Sequence, residues 1–307
     1  MKRLILSCAL ALSTLCFNAP ASAAIPPPLP RSTDSFDAGS LHVDVFGTNG
    51  KPAIVLIPGL ACGPWEWSGE IRQLAPNYSI YAMTLPGFDG RPGIGGDLFK
   101  TVTADFWMML DAHHLANPAL VGHSLGGTLA IILAEQHPSR LRGVIAVDGL
   151  PVFPGFDRMS PVQREQSAQR MQAMMADATP AQFAMAERTS VLPQYMRASS
   201  DVDAVTPLIA KSDPKAVGAW FAADVLVDAR GGLKDISVPV FEIAPYDASL
   251  ESAYVPSAAA KQTYYESLLS GDASAKVQMI DGSRHFVMYD RPKELGAAIA
   301  GDLTSLY

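Results

Sequence analysis

Cysteine and charge are scarce in this sequence, and each scarcity excludes a class of protein. Three cysteines in 307 residues are too few for a disulfide scaffold. Charged residues make up 17% of the chain, below the roughly 25% of an average domain. The 23 Lys and Arg are outnumbered by 30 Asp and Glu, so the surface lacks the basic excess that phosphate binding needs. We therefore expect no nucleic-acid partner.

The first 23 residues have the pattern of a secretory signal peptide. A basic start is followed by an apolar run from Leu4 to Phe17 and by Ala21-Ser22-Ala23, the small residues of a cleavage site. The run is too short for a membrane-spanning helix. We expect export to the periplasm or the medium, with no stable membrane insertion after cleavage; retention of residues 1–23 as an anchor is the alternative. The Pro-rich residues 24–40 are predicted to be an extended leader.

The rest of the chain alternates predicted strands and helices. Continuous apolar runs such as Ala53 to Ile57 are typical of strands buried on both faces. The alternation predicts an α/β fold with a doubly wound, mostly parallel sheet, built from residues 41–150 and 235–307. Residues 151–234 contain helix start signals but no convincing strand. They are predicted to form an inserted helical cap over the carboxyl ends of the strands, where such sheets bind ligands.

A candidate nucleophile lies in Gly122-His123-Ser124-Leu125-Gly126, which matches G-x-S-x-G. The motif stands between a predicted buried strand and a predicted helix, as a nucleophile elbow requires. The flanking glycines suit a turn in which any Cβ would collide with the chain. Ser124 is therefore predicted to be the nucleophile.

A serine nucleophile needs a base, and the base needs an acid to hold its tautomer. Of six histidines, His285 alone follows the cap, in a loop after the last predicted strand, so it is the predicted base. Asp247 follows the preceding strand and completes the chain order Ser, Asp, His. It is the predicted acid. Asp148, at the end of the strand after the elbow helix, is the alternative.

Two backbone N–H groups are predicted to form an oxyanion hole. One belongs to Leu125, the residue after the nucleophile. The other belongs to Leu60, in the turn Pro58-Gly59-Leu60 after an early buried strand, where glycine lets the backbone approach a substrate.

These residues, together with Leu85-Pro86-Gly87-Phe88 and Arg284-His285-Phe286, resemble the α/β-hydrolase superfamily, and in particular its capped, single-domain, esterase-like branch. The similarity runs from about Leu41 to the C-terminus. It implies formation of an acyl-enzyme on Ser124 and its hydrolysis by water that His285 activates. The sequence departs from the family pattern at Thr84 and Ala244, where members often have Asp and Gly.

We expect a serine hydrolase acting on a small carboxylic ester with an apolar acyl or alcohol part. The same triad could serve a thioesterase, lactonase, amidase or perhydrolase, and a catalytically inactive ligand-binding protein is the alternative of another class. Metal and nucleotide motifs are lacking, so no cofactor is expected, and the oligomeric state stays open.

Six cap methionines suit either an adaptable apolar pocket or packing within the cap: Met159, Met171, Met174, Met175, Met185 and Met196.

Overall fold

The computed structural model of this protein describes residues 28–307. The predicted signal peptide and residues 24–27 of the predicted leader lie outside the described residues. Eight strands form one sheet in the order β1-β2-β4-β3-β5-β6-β7-β8. The strands are β1 (Asp34–Ala38), β2 (Leu41–Gly47), β3 (Ala53–Ile57), β4 (Ser79–Thr84), β5 (Ala119–His123), β6 (Gly143–Val147), β7 (Val240–Tyr246) and β8 (Lys276–Asp281).

The sheet is parallel from β4 to β8 and antiparallel at its other edge, where β1 pairs with β2 and β2 with β4. Every residue of β5 and β6 is buried, because helices cover both faces of the central strands. The predicted doubly wound, mostly parallel sheet is confirmed. Its parallel strands all end at one edge, so the segments after β5, β6, β7 and β8 meet there.

Strand β1 corrects the predicted leader. Asp34 to Ala38 lie within the predicted leader, yet they pair antiparallel with β2, with Asp34 opposite Val45. The sequence DSFDA has no apolar run, because an edge strand can leave most of its side chains exposed, and this one does. Sequence pattern therefore had no means of finding this strand.

Twelve helices and several single turns connect or follow the strands in the described part of the chain. The helices are α1 (Ser68–Leu74), α2 (Leu98–Ala112), α3 (Leu125–Gln136), α4 (Pro161–Ala176), α5 (Pro180–Ala186), α6 (Leu192–Tyr195), α7 (Ser199–Ile209), α8 (Pro214–Leu226), α9 (Ala248–Glu251), α10 (Ala258–Leu269), α11 (Val287–Asp290) and α12 (Pro292–Leu306). None of them is long and apolar enough to span a membrane.

Helices α4 to α8 occupy the region predicted as a cap. Two of these helices begin with a capping box: Ser160 accepts from the Gln163 N–H, and Thr179 accepts from the Gln182 N–H. Between α5 and α6 the chain makes one π-helical turn, Glu187–Val191. The sequence did not indicate helix α7, whose N-terminus has no side-chain cap to mark it.

Candidate active site

Ser124 stands on a strained turn between β5 and α3. Its φ of 52° and ψ of −121° lie in a region of backbone conformation where residues other than glycine are rarely found. A Cβ on Gly122 would come within 2.2 Å of the Gly126 carbonyl oxygen, and one on Gly126 within 2.3 Å of the Ile57 carbonyl oxygen. Both motif glycines are therefore required by the turn, which presents Ser124 to the cavity above the sheet.

His285 lies in the loop after β8 and lines the same cavity as Ser124. Its Nδ1 is 2.5 Å from Oδ2 of Asp148, the residue directly after β6. The other oxygen of Asp148 accepts a hydrogen bond of 2.6 Å from the Tyr265 hydroxyl of α10. This leaves Nε2 of His285 for proton transfer. In the described part of the chain no hydrogen bond joins the Ser124 hydroxyl to His285, and such contacts often tighten only in the complex with substrate.

The predicted partner of His285, Asp247, lies elsewhere. One of its carboxylate oxygens is 2.9 Å from Nε of Arg284 and the other is 2.9 Å from a terminal nitrogen of Arg197. It also caps α9 by accepting from the Ser249 N–H and hydroxyl. Within residues 28–307, no hydrogen bond joins Asp247 to the imidazole of His285, whose Nδ1 contacts Asp148 instead. The expected contact of Asp247 with the base is therefore wrong, and the alternative acid, Asp148, makes it.

The charges around the base keep Asp148 ionised and His285 neutral. Burial opposes ionisation of Asp148, but the positive charge of Lys261 and the hydrogen bonds from His285 and Tyr265 hold the pKa of that carboxyl well below its usual range. Burial lowers the pKa of His285, and the neighbouring His123 lowers it further, against the opposing effect of Asp148. A neutral imidazole beside an ionised carboxylate is the starting state that a general base needs.

The two predicted oxyanion residues retain free N–H groups. No hydrogen bond within residues 28–307 is donated by the N–H of Leu60 or of Leu125. The N–H of Gly59, by contrast, donates to Oε2 of Glu66 over 3.0 Å. Leu60 lines the cavity beside Ser124, and Leu125 begins α3, whose dipole favours negative charge at that end.

A buried ion pair beneath the site was not indicated by the sequence. Nδ1 of His123 contacts the Glu66 carboxylate, and both side chains are almost fully buried. Burial opposes the charge on the imidazole, yet the Glu66 carboxylate raises the pKa of His123. Nε2 of His123 lies 3.1 Å from the carbonyl oxygen of His285. Because Glu66 also accepts a hydrogen bond from the Gly59 N–H, the Glu66–His123 pair connects the turn Pro58-Gly59-Leu60 to the loop that contains His285.

The cavity above Ser124 has a volume of about 380 Å³ and is bounded by the strand ends below and by the cap above. Its lining is mainly apolar. The cap and the segment leading into it contribute Leu150, Val152, Phe153, Pro154, Met175, Val191, Leu192, Tyr195, Ile209, Val217 and Phe221. All six cap methionines lie in the described part of the chain, and Met175 is the one that lines the cavity. The methionine-rich composition therefore does not mark the pocket.

No group of three or more His, Cys, Asp or Glu side chains within residues 28–307 has the arrangement of a metal site. Cys62, the cysteine within residues 28–307, is buried, and burial together with the nearby Glu66 raises the pKa of its thiol. A thiol held in its protonated form is a poor nucleophile.

Comparison with known proteins relates the chain to enzymes of one fold. Residues 52–199 match the family model of the alpha/beta hydrolase fold. The 2-succinyl-6-hydroxy-2,4-cyclohexadiene-1-carboxylate synthase of Escherichia coli O1:K1 / APEC is 34% identical over 133 residues, which are 42% of this chain and 52% of that protein. The chain thus spans about half the length of the curated relatives it matches.

Solved structures match over most of the chain at low sequence identity. The enol-lactonase from Burkholderia xenovorans LB400 has a TM-score of 0.69 and 19% identity, covering 86% of this chain and 96% of the lactonase. A thermophilic esterase from Thermogutta terrifontis has a TM-score of 0.72 and 17% identity, covering 89% of this chain and 99% of the esterase. At these low sequence identities, the structural similarity establishes the fold alone.

Proposed function

The chain belongs to the α/β-hydrolase superfamily of enzymes, and we propose that it is a serine hydrolase that cleaves carboxylic esters through an acyl-enzyme on Ser124. The observation that carries the proposal is the meeting of three groups at one cavity: a serine on a strained elbow, an imidazole, and a carboxylate 2.5 Å from that imidazole. Two unpaired N–H groups beside the serine add the means to stabilise an oxyanion.

In the first half of the reaction, the Ser124 oxygen attacks the ester carbonyl carbon while Nε2 of His285 takes its proton. The carbonyl π electrons move onto the oxygen, which accepts hydrogen bonds from the Leu60 and Leu125 N–H groups. Asp148 stabilises the imidazolium and holds its Nδ1 proton. Collapse of the tetrahedral intermediate breaks the bond to the alcohol oxygen, which leaves with the proton from His285.

The second half repeats these steps with water. His285 removes a proton from the water as its oxygen attacks the acyl carbon, and the same N–H groups stabilise the oxyanion. Collapse then releases the carboxylic acid and returns the proton to the Ser124 oxygen. Each acyl transfer therefore begins and ends with neutral His285.

The lining of the cavity supports an ester with an apolar acyl or alcohol part. It is mostly aliphatic and aromatic, and within residues 28–307 it includes no Lys or Arg. The Escherichia coli relative is named for a compound that carries a carboxylate. A cavity with carboxyl groups of its own and no lining Lys or Arg suits such an anion poorly. Ester hydrolysis is therefore the function we propose over the synthase reaction.

Labelling with a fluorophosphonate probe, which reacts covalently with an activated serine, tests the proposal. We expect the wild type to be labelled and Ser124→Ala to be unlabelled with an unchanged melting temperature. Ser190→Ala, at an exposed cap serine, is the matched control and should be labelled like the wild type. Turnover of p-nitrophenyl esters of increasing chain length then measures the size of the apolar pocket.

Absence of labelling in folded wild type would refute the hydrolase and favour a ligand-binding protein on the same fold. Equal labelling of Ser124→Ala would place the nucleophile elsewhere. If the protein is labelled but cleaves thioesters or amides and no ester, Ser124 would remain the nucleophile, and the proposed ester substrate would be wrong.

A further inference from the structure

Two carboxyl groups of the cap face the cavity of Ser124 and take no part in the proposed triad. Glu187 begins the π-helical turn between α5 and α6, and Asp224 belongs to α8. Their exposed fractions are 7% and 6%, and both side chains line the cavity. Carboxyl groups are rarely buried to this extent without a partner.

Glu187 has no such partner. Neither a hydrogen bond nor an ion pair joins its carboxyl to any other residue from 28 to 307, and burial raises its pKa to about 7. Three other buried acids near the site do have partners: Glu66 contacts His123, Asp148 contacts His285, and Asp247 contacts two arginines. A buried carboxyl that lacks a donor is costly, and a ligand in the cavity can supply one.

Glu187 lines the same cavity as Ser124 and His285. Burial raises the pKa of Tyr195, and the nearby carboxylates of Glu187 and Asp148 raise it further. The Tyr195 ring is 5.0 Å from the ring of His285. On the other side, Glu187 acts electrostatically on Cys62, which follows the oxyanion turn. The Glu187 carboxyl thus shares one cavity with Ser124 and His285.

The π-helical turn accounts for this placement. π-Helical turns of this kind are rare and are frequently found at functional sites. Here the turn brings Glu187, Val191 and Leu192 to the face of the chain that lines the cavity, with Tyr195 one turn further on. The carboxyl is thus surrounded by apolar and aromatic side chains, in which its charge is weakly screened.

The charge around the cavity decides which donor is favoured. The ionisable groups facing it are Glu187, Asp224 and Tyr195 from the cap, and Asp148, His123, His285 and Tyr265 from the strand ends and α10. In the described chain the lining holds no Lys or Arg. The field therefore attracts a cation, and the Tyr195 ring adds a surface on which a cation can rest.

On the basis of the proposed hydrolase function, we propose that Glu187 binds a protonated amine of the substrate, so that the preferred esters carry an ammonium group in the part that occupies this cavity. The amine donates its N–H to the Glu187 carboxylate while the apolar remainder fills the cavity. A charged hydrogen bond of this kind corresponds to a preference of about ten- to a hundredfold.

Three butanoate esters of matched shape test the amine site. They are 2-(dimethylamino)ethyl butanoate, which carries a cationic N–H; the choline ester, a cation without N–H; and 3-methylbutyl butanoate, the uncharged isostere. We expect kcat/KM at pH 7.5 to be highest for the first. In Glu187→Gln the preference over the isostere should fall toward unity, while Glu165→Gln, an exposed cap residue, should keep it.

The wild type offers a measurement that needs no variant. Burial raises the pKa of Glu187 and of Asp224 to about 7. Because both lining carboxyls become charged as pH rises through that value, the preference for the amino ester should grow from pH 6 to pH 8. This readout remains available if Glu187→Gln fails to fold.

The outcomes separate the two proposals. Equal kcat/KM for the amino ester and its isostere would overturn the amine site and leave the hydrolase intact. Hydrolysis of no ester, in protein that the fluorophosphonate does not label, would overturn the hydrolase itself. Equal preference for the choline and amino esters would show that charge suffices and would overturn the N–H hydrogen bond. A preference unchanged in folded Glu187→Gln would overturn the role of Glu187.

Discussion

Replacing Asp148 by Asn tests which carboxylate serves His285. The substitution keeps the shape of the side chain and removes its charge. Asp148 is held by two donors, Nδ1 of His285 at 2.5 Å and the Tyr265 hydroxyl at 2.6 Å. An amide has only one oxygen, so its NH2 group must face one of these two groups.

Either orientation of the amide damages the base. If the NH2 group faces the imidazole, Nδ1 becomes the acceptor and the ring proton moves to Nε2, which can then no longer take the proton of Ser124. If the oxygen faces the imidazole, the tautomer survives but no negative charge stabilises the imidazolium. In serine proteases this replacement costs about 10⁴ in kcat. A loss of that size corresponds to about 5.4 kcal/mol of transition-state stabilisation.

The matched control is Asp247→Asn, at the carboxylate that the sequence favoured. Its side chain is 3% exposed and binds Arg284 and Arg197, so its replacement should lower the free energy of unfolding by about 1.5–3 kcal/mol, the value of hydrogen bonds to charged groups. We expect kcat to fall by no more than about tenfold, since the carboxylate does not touch the base. Both variants are assayed with a short p-nitrophenyl ester, and their melting temperatures are recorded.

The opposite ranking would refute this reasoning. If Asp247→Asn loses far more activity than Asp148→Asn in folded protein, the hydrogen bond to His285 is made by Asp247 in the working enzyme. If Asp148→Asn retains wild-type kcat, the base does not depend on the carboxylate of Asp148.

Two further predictions concern pH. Burial and His123 lower the pKa of His285 from 6.5, so kcat/KM for a neutral short-chain ester should rise with pH with a midpoint below 6.5; a midpoint above 7 would contradict a neutral buried base. Burial raises the pKa of Glu70 in α1 from 4.5 to about 8, so the folded state favours its protonated form. Stability should therefore be lost as pH rises between these values. Glu70→Gln should show a smaller fall in melting temperature from pH 5 to pH 8, and an equal fall in both proteins would contradict this.

The central part of the fold could be predicted because its strands are buried on both faces. Runs such as Ala53–Ile57 and Gly143–Val147 are apolar throughout, and glycine or proline marks their ends. The elements that escaped prediction lack these signals. Strand β1 is an exposed edge strand with the sequence DSFDA, and helix α7 begins without a side-chain cap. Their positions depend on pairing and packing with distant residues, which local pattern does not contain.

The candidate nucleophile, Ser124, could be located from sequence because the turn that carries it constrains the neighbouring residues as well. Gly122 and Gly126 are required by contacts of 2.2 and 2.3 Å that any Cβ would make. The acid has no comparable local signature. Asp148 and Asp247 each follow a strand, and both satisfy the chain order Ser, Asp, His. The choice between them rests on side chains remote in sequence, such as Arg284 and Tyr265.

Arg284 explains why the site needs both aspartates. A guanidinium next to His285 in sequence would oppose the positive charge that the imidazole acquires during the reaction. Asp247 binds Arg284 and so offsets this charge, while Arg284 ties the loop of the base to the cap by donating to the carbonyl groups of Pro193 and Met196. Had Asp247 instead turned to the imidazole, that arginine would lose its carboxylate beside the base. In the proposed mechanism, Asp148 pairs with His285 while Asp247 pairs with Arg284 in the loop that carries this histidine.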